Sequence, residues 1–252
     1  MNWAAQAADI ERATLDAVPP SHREELGGWL LGLDAGTVQR AKSAAPLVQG
    51  HALVTSIDTI AALYRDAGLI PCFRVPDVPE LEGVQRRLTV QGLTPGEATH
   101  VQWVEANRLE ALRSASDIEV SLNDRPDEAW CAVFLGEGFD PVDGASRTRI
   151  LMRAAHALYA SVQVEGATVA VGMGSFSHGW ASIHGMRTLP AWRGRGYALA
   201  IIGRLLAEGR RRHLDRVFLQ VEGANAHARA IYRRLGFQDL WTYRYWQPGA
   251  SE

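Results

Sequence analysis

The second half of the chain switches repeatedly between the hydrophobic periods of strands and helices. Short apolar or alternating runs predict strands, two of them joined by a Glu165-Gly166 turn, and apolar residues three and four positions apart predict helices. The predicted elements are helices over 126–135 and 144–155, strands over 158–164, 168–176 and 180–188, a helix over 197–211, a strand over 216–222, a helix over 226–235 and a strand or strand pair over 238–246. This order predicts a coherent α/β unit.

The first half shows weaker patterns. They predict a hairpin of residues 29–33 and 38–41 around Asp34-Ala-Gly36, a helix over 55–65 with Ser56 as candidate N-cap and Gly68 after its end, a strand over 71–75, a helix over 79–91 and a strand over 99–105. A polar stretch over 114–127 that contains Pro126 separates the two halves. We therefore expect an N-terminal domain over 1–118 and a second domain over 119–252.

The segment 188–198 joins a predicted strand to a predicted helix and is rich in glycine and arginine. Pro190 ends the strand because it has no N–H, and the glycines allow a tight turn and a close approach to a ligand. The loop leads into a helix N-terminus, where unpaired N–H groups and the helix dipole favour an anion. The glycines and the added positive charges are Gly194, Gly196, Arg193 and Arg195. The loop thus predicts a site for a pyrophosphate or a similar anion.

Two common glycine-rich loops do not fit this segment. Leu199 stands where a dinucleotide fingerprint needs Gly or Ala, and the Gly-Lys-Ser/Thr of a Walker loop is absent. The pattern Arg-x-x-Gly-x-Ala, from Arg193 through Gly196 to Ala198, instead resembles the acyl-CoA loop of the GNAT superfamily of N-acetyltransferases. An ordinary connection, in which the glycines only turn the chain, is the alternative.

A second segment strengthens this resemblance. The string Asn225-x-x-Ala-x-x-x-Tyr232-x-x-x-Gly236-Phe237 is similar to the last conserved segment of the GNAT fold, with Asn225 as helix N-cap and Gly236 as helix end. The two segments follow one another in the order and at the distance typical of that family. The resemblance covers residues 126–246 and implies an α/β (α+β) GNAT fold, in which helices flank a mixed central sheet.

The resemblance implies a site for acetyl-CoA as co-substrate. Backbone groups of Met186, Arg187 and Thr188 would pair with the pantetheine arm, and loop N–H groups would hold the pyrophosphate. Asn225 would reach the pantetheine or thioester region, unless it only caps its helix. Tyr232 would protonate the leaving CoA thiolate, unless it is a core aromatic. The implied cofactor-binding set is Met186, Arg187, Thr188, Arg193, Gly194, Arg195, Gly196, Tyr197, Ala198, Leu199, Asn225 and Tyr232.

The base that takes the proton of the acceptor amine is left open. Relatives that acetylate protein N-termini can carry Glu two residues before the position of Glu222, where this chain has Gln220, which cannot act as a base. Glu222 and His184 are the candidates, followed by His178, and a chain of water molecules is an equal alternative. The catalytic set is therefore Tyr232, Glu222 and His184.

The expected activity is transfer of an acetyl group from acetyl-CoA to a primary amine of a small molecule or peptide, by direct attack of the amine on the thioester. Two alternatives are an acyl-CoA-binding or sensing protein without turnover, and an acyltransferase that uses a different acyl-CoA. Turnover separates the first alternative from the expected enzyme.

An internal similarity suggests a tandem arrangement. Tyr64-Arg-Asp-Ala-Gly68-Leu is similar to Tyr232-Arg-Arg-Leu-Gly236-Phe, although the first half has no Arg-x-x-Gly-x-Ala loop. We expect a degenerate GNAT-like half that packs on the active one and walls its substrate cleft. The alternative is a coincidence between two helix ends that both need glycine.

The composition of the chain argues against several classes of partner and cofactor. A net charge of -2 over 252 residues gives no global attraction to nucleic acid or to an anionic membrane. Cys72 and Cys131 imply no disulfide framework, and neither a metal-ligand spacing nor a signal peptide nor a membrane-spanning run is found. We expect a cytoplasmic enzyme without a metal. The aromatic last strand is a candidate edge for a homodimer.

Overall fold

The computed structural model describes residues 4–107 and 118–249. Its α-helices are α1 (Ala4–Ala17), α2 (His51–Asp66), α3 (Glu82–Val90), α4 (Glu128–Ala132), α5 (Pro141–Leu151), α6 (Tyr197–Arg211) and α7 (Ala226–Arg234). Its strands are β1 (His22–Leu26), β2 (Trp29–Leu33), β3 (Ala44–Pro46), β4 (Phe73–Pro76), β5 (Leu93–Glu105), β6 (Ser121–Asn123), β7 (Ala157–Val164), β8 (Ala167–Ser177), β9 (Trp180–Thr188), β10 (Arg216–Glu222) and β11 (Gln238–Pro248). Short 3₁₀ turns cover Gln39–Lys42, Pro79–Leu81, Val133–Leu135 and Pro190–Trp192.

All described strands join one mixed sheet in the order β1-β2-β3-β4-β11-β5-β10-β9-β8-β7-β6. Neighbours are antiparallel except for the β3–β4 and β9–β10 pairs, which are parallel. A parallel pair needs a crossover connection, and α2 and α6 supply the two crossovers. The fold class predicted from the sequence is therefore confirmed.

The strand order is symmetric about the β11–β5 pair at the centre of the sheet. Each half contributes a run of antiparallel strands, a crossover helix, a parallel strand, a second helix and a last strand. The antiparallel run is β1–β3 in the first half and β6–β9 in the second, where the short edge strand β6 has no described counterpart. The last strands are exchanged: β5 lies between β10 and β11, and β11 lies between β4 and β5. The chain is thus a tandem repeat whose halves complete one another.

The similarity around Gly68 and Gly236 does not mark this repeat. Gly68 follows α2 and Gly236 follows α7, whereas the topology makes α2 equivalent to α6 and α3 equivalent to α7. Both glycines have a positive φ, +70° and +86°, which terminates a helix without strain. The short match is therefore a coincidence of helix ends, although the tandem arrangement itself is present.

In the second half, the predicted strands and the last two predicted helices occur with small shifts of their ends. The helix predicted over 126–135 is the short α4 followed by the 3₁₀ turn Val133–Leu135, and α5 begins three residues and ends four residues before the helix predicted over 144–155. β9, α6 and β10 begin and end at the predicted residues. The polar stretch over 114–127 is only partly described: residues 114–117 lie outside the described residues, and 121–123 form β6, which the sequence did not predict. The domain boundary at residue 118 stays a prediction.

In the first half, the predicted hairpin is wrong. β2 pairs with β1 across Gly27-Gly28, both at positive φ, and residues 39–42 form a 3₁₀ turn instead of a strand. Nor does Ser56 cap α2, which begins after Gly50, and the Ser56 hydroxyl donates to the carbonyl of Ala52 at 2.8 Å. β1 was missed because its sequence, His-Arg-Glu-Glu-Leu, has the charged character of an edge strand rather than strand-like apolar alternation.

A continuous core joins the halves. Trp180 on β9 and Phe218 on β10 belong to the same buried cluster as Ile10, Trp29 and Phe73 of the first half. The rings of Trp180 and Phe218 lie 5.8 Å apart in an edge-to-face contact, which is worth about 0.5–1.5 kcal/mol beyond its buried area. No helix within the described ranges is both long and apolar enough to cross a lipid bilayer.

Candidate active site

The parallel strands β9 and β10 separate along their length. They pair only over Ala181–Ile183 and Val217–Leu219, and beyond this point β9 bulges at Gly185-Met186 against β8. Gly185 has φ +60°, and a Cβ there would lie 2.9 Å from Leu151 Cδ1, so the bulge needs glycine. The gap exposes the β10-facing edge of residues 186–188.

Two cavities lined by described residues lie at this gap. The first, called the larger cavity below, has a volume of about 790 Å³ and opens between β9, α6 and α7. It contains every residue of the predicted cofactor-binding set. Its lining also includes Phe139, Ile202, His227, Ala228, Ile231, Arg234, Leu235 and Trp192. The predicted set is thus brought together in one place, and its role in binding stays a prediction.

The loop before α6 has the geometry of an anion site. Gly194 and Gly196 have φ +77° and +83°. A Cβ added at Gly194 would have no described atom within 4 Å, so the space beside this residue is open. The first bond into the helix runs from the N–H of Ala200 to the carbonyl of Gly196 at 3.0 Å. The N–H groups of residues 194–199 have no backbone acceptor in the part of the chain described, so they are free to bind an anion.

The two loop arginines are exposed and differently anchored. Arg193 donates from Nε to the carbonyl of Thr188 at 3.2 Å, and Arg195 lies over the Trp192 ring at 4.6 Å. The basic run over 210–212 is at the other end of α6, where Arg211 and Arg212 pair with Glu208. It does not line the larger cavity, and Arg234 is the basic residue of α7 that does.

A smaller cavity of about 420 Å³ lies on the other side of the gap and is built by both halves. The first half contributes residues 37–40 and Thr99, and the last strand contributes Tyr243 and Tyr245. The second half contributes Phe134, Arg147, Ile183, His184, Gly185, Met186, Arg187, Leu219, Gln220, Val221, Glu222, Asn225, Ala228 and Tyr232. The first half therefore walls this cavity, as the tandem hypothesis expected.

The two cavities share one wall. Met186, Arg187, Asn225, Ala228 and Tyr232 line both of them. A molecule in the larger cavity and a molecule in the smaller cavity would meet at these side chains.

Tyr232, the predicted proton donor, lies at this shared wall. Burial raises the pKa of its phenol, so the hydroxyl stays protonated at neutral and mildly alkaline pH. Its ring contacts Phe237 at 5.8 Å, and none of the described residues accepts or donates a hydrogen bond at its hydroxyl. Asn225 caps α7 through Oδ1, which accepts from the N–H of Ala228 at 3.0 Å. The capping role of Asn225 is thus real, and its amide nitrogen remains available to the cavity.

The three candidate bases have different surroundings. His184 is buried and lies 2.8 Å from the Ser182 hydroxyl, and burial lowers its pKa to about 3. Glu222 is exposed at the end of β10 and lines the smaller cavity. His178 lies in the β8–β9 turn, at the opposite end of β9, and its Nε2 is 3.1 Å from Asp16 Oδ2.

Gln220 is engaged in a hydrogen-bond chain between elements. Its Oε1 accepts from the Tyr243 hydroxyl at 2.9 Å, and its Nε2 donates to the Thr14 hydroxyl of α1 at 2.9 Å. This position thus helps to hold α1 and β11 in place under the smaller cavity.

Beside this cavity, the carboxylate of Asp143 on α5 accepts a hydrogen bond from the first half. Asp143 accepts from the Thr37 hydroxyl at 2.7 Å and from Arg147 Nε at 2.6 Å, and Arg187 Nη2 is 3.5 Å away. Burial acts to raise the pKa of Asp143, but these hydrogen bonds outweigh it and lower the pKa. Burial lowers the pKa of Arg187, whose guanidinium lies 4.4 Å from the Phe139 ring centre.

Sequence reasoning missed the residues that the first half brings to the site. Thr37 and Arg40 lie more than a hundred positions from the motifs, so no local spacing connects them to the site. Tyr243 and Tyr245 belong to the aromatic alternation of the last strand, from which the sequence predicts only a candidate dimer edge. That edge does not exist, because β11 is paired on both sides at the centre of the sheet.

Comparisons with known proteins agree with the fold. The structure is similar to a GCN5-related N-acetyltransferase from Kribbella flavida, with 17% identity, a TM-score of 0.72, and coverage of 97% of this chain and 96% of that one. It is also similar to a tandem GNAT protein from the clavulanic acid biosynthesis pathway, with 14% identity, a TM-score of 0.62, and coverage of 98% and 97%. A GCN5-related N-acetyltransferase from Sphaerobacter thermophilus shows 17% identity, a TM-score of 0.55, and coverage of 83% and 74%.

At these identities the likeness concerns the fold alone. No match was found among curated proteins. A family model does match, over residues 4–246, and its description is "Probable histone acetyltransferase Rv0428c C-terminal". Because this match spans both halves, the chain belongs to the acetyltransferase-like family that this model describes. Its fold is that of the GNAT proteins.

Proposed function

We propose that the protein is an N-acyltransferase that transfers an acetyl group from acetyl-CoA to a primary amine. The observation that carries this proposal is the wall shared by the two cavities. The larger cavity would hold the co-substrate and the smaller cavity the acceptor, and the two molecules would meet at the shared wall.

The larger cavity suits acetyl-CoA in size and chemistry. Free N–H groups over 194–199, the αL glycines and the exposed Arg193 match a pyrophosphate, and the unpaired edge of β9 matches an amide-containing arm. When bound, acetyl-CoA supplies the activated thioester. The chain's own residues orient it and move protons.

Two side chains divide the proton transfers. Tyr232 holds its proton, because burial raises its pKa, and can donate it to a leaving thiolate at the shared wall. Glu222 lines the smaller cavity as a carboxylate and can accept the proton of the amine, directly or through water. His184 is a weak base, because its pKa of about 3 leaves it little affinity for a proton.

The test is a steady-state assay of acetyl transfer with Tyr232→Phe and Glu222→Gln, accompanied by calorimetric titration of acetyl-CoA. We expect Tyr232→Phe to lower kcat by about 10²-fold or more, with acetyl-CoA affinity nearly unchanged, because only the proton donor is lost. Glu222→Gln should lower kcat/KM for the acceptor, whereas His184→Gln should retain most of it.

Binding of acetyl-CoA without turnover of any amine by the wild type would contradict the enzyme and support a binding protein. Equal kcat in the wild type and in Tyr232→Phe would remove Tyr232 from the mechanism.

A further inference from the structure

We propose that the acceptor is an amine that also bears a carboxylate, and that Arg40 binds this carboxylate in the smaller cavity. The inference deepens the proposed function and rests on it. It concerns the chemical class of the acceptor, for which neither the motifs nor the family description gives a contact.

Arg40 enters the cavity from the 3₁₀ turn Gln39–Lys42 of the first half. Its Nε is buried and has no hydrogen-bond partner. Among the described residues no carboxylate lies within ion-pair distance of its guanidinium. A buried donor of a charged group that is left unpaired is costly, and a ligand that pairs with it recovers that cost.

The acidic residue that faces Arg40 is Glu11, and it already has another ion-pair partner. Glu11 on α1 forms a buried ion pair with Arg74 of β4, and both side chains are almost fully excluded from solvent. The Arg74 guanidinium also lies over the Tyr243 ring at 5.2 Å. Glu11 therefore cannot serve as the partner of Arg40 without leaving Arg74 unpaired.

The other titratable groups that face Arg40 carry no negative charge. His184 stays neutral, because burial and the positive charge of Arg40 lower its pKa to about 3. Burial raises the pKa of Tyr245 well above its ordinary value, so its hydroxyl stays neutral as well. The hydroxyl of Tyr245 lies 3.4 Å from that of Tyr243 and offers a further polar contact beside Arg40.

Counted together, the described charged side chains at the smaller cavity comprise three arginines and two carboxylates, which leaves one positive charge in excess. Arg147 and Arg187 share the carboxylate of Asp143, and Glu222 is the one carboxylate in the described lining of the smaller cavity. A singly charged carboxylate balances this excess. A planar guanidinium also matches the two oxygens of a carboxylate in a bidentate contact.

This charge pattern disfavours a lysine-rich peptide. A cationic tail would bring further positive charge to a wall that already has an excess of it, and like charges repel. A cavity of about 420 Å³ instead has the size of small-molecule sites. The words "histone acetyltransferase" in the family description are therefore not carried over to the acceptor of this chain.

The experiment uses matched acceptors that differ only in the carboxylate. Each amino acid is paired with its decarboxylated amine, which bears no carboxylate: L-lysine with 1,5-diaminopentane, L-phenylalanine with 2-phenylethylamine, and L-leucine with 3-methylbutylamine. Acetylation is measured with the wild type, Arg40→Met, Arg40→Lys and the surface control Arg86→Ala, which removes an exposed arginine of α3.

We expect the wild type to prefer the acid of at least one pair by about tenfold or more in kcat/KM. Arg40→Met should raise KM for that acid by roughly 30-fold or more and bring the ratio within the pair close to one. Arg40→Lys should keep part of the preference, and Arg86→Ala all of it. Acetyl-CoA affinity should change in none of them.

Two further readouts separate this inference from the proposed function. Calorimetric titration of the same acids, with and without free CoA, reports carboxylate binding even without turnover, whereas titration of acetyl-CoA reports the co-substrate site. Thermal unfolding should show Arg40→Met at least as stable as the wild type, because a structural arginine would lower stability when removed.

Preference for the decarboxylated amines, an acid preference unchanged in Arg40→Met, or the absence of binding by any acid would overturn the inference. Loss of acetyl-CoA binding in the wild type would overturn the proposed function and leave the carboxylate titration to decide the role of Arg40.

Discussion

The solvent exposure of a side chain in the smaller cavity determines how readily it accepts a proton. Glu222 and His184 lie on adjacent strands, but Glu222 is exposed at a strand end and His184 is 5% exposed. Desolvation penalises the charged form of a buried group, so His184 favours its neutral form. Burial therefore makes His184 a weak proton acceptor, whereas Glu222 stays accessible to an acceptor amine or to water.

The buried His184 should make the fold sensitive to acid. Its pKa is about 3 in the folded protein against 6.5 for an ordinary histidine, so below pH 6.5 the unfolded state takes up a proton that the folded state does not. Stability is therefore fully present above pH 6.5 and is lost as the pH falls toward 3. Between pH 7.5 and 5.5, this group should lower the free energy of unfolding by about 1.4 kcal/mol.

Urea unfolding followed by tryptophan fluorescence at the two pH values checks this. His184→Gln should remove the contribution of this group to the pH dependence. An identical loss of stability in His184→Gln and in the wild type would contradict the buried neutral histidine.

Among the elements, β9 and α6 position the site. The bulge at Gly185-Met186 turns β9 away from β10, and Gly172 on β8 makes room for the Met186 side chain. The apolar face of α6 then fixes the loop against the sheet through Ile201, Ile202 and Leu205, all buried. Each such side chain contributes roughly 1.5–3 kcal/mol by burial.

Two glycine substitutions separate the bulge from general glycine effects. Gly185→Ala should destabilise the protein by about 1–3 kcal/mol and weaken acetyl-CoA binding, because φ is +60° and the added Cβ would press on Leu151. Gly203→Ala, in the interior of α6 with open space around it, should stabilise by about 0.5–1 kcal/mol. Thermal unfolding and calorimetry measure both, and equal effects of the two changes would contradict a strained bulge.

At the scale of the whole molecule, the halves are joined by the exchange of strands. β5 fills the space between β10 and β11, so the second half alone would have an open slot in its sheet. The β5 pairings, not the covalent link, should hold the halves together.

A chain opened within residues 108–117 tests this. Co-expressed pieces should co-purify as one folded protein, whereas a first piece that ends at residue 92, before β5, should not bind the second. A soluble, cooperatively unfolding second piece without its partner would contradict the exchange.

The sequence predicted what is local and missed what is long-range. β9, α6 and β10 were placed well because continuous apolar runs and helical spacing act within each element. The exchange of β5 and β11 leaves no local signal, because the alternation within a strand does not specify which distant strand it pairs with.

The same limit applies to the site. The loop that is predicted to bind the cofactor is recognisable in the sequence because its glycines, its arginines and its helix start are contiguous. Arg40 and Thr37 were invisible, because only the packing of the first half on α5 brings them to the smaller cavity.

The measurement that tests the central claim most directly is calorimetric titration of acetyl-CoA into the wild type, Arg193→Ala/Gly196→Trp, the milder Arg193→Ala/Arg195→Ala, and the control Arg86→Ala. We expect one site in the wild type and in the control, a loss of affinity of about tenfold or more in the arginine pair, and no detectable binding in the variant that blocks the loop. Circular dichroism confirms that each variant is folded. The absence of binding in the wild type, or equal affinity in all four proteins, would contradict the acetyl-CoA site.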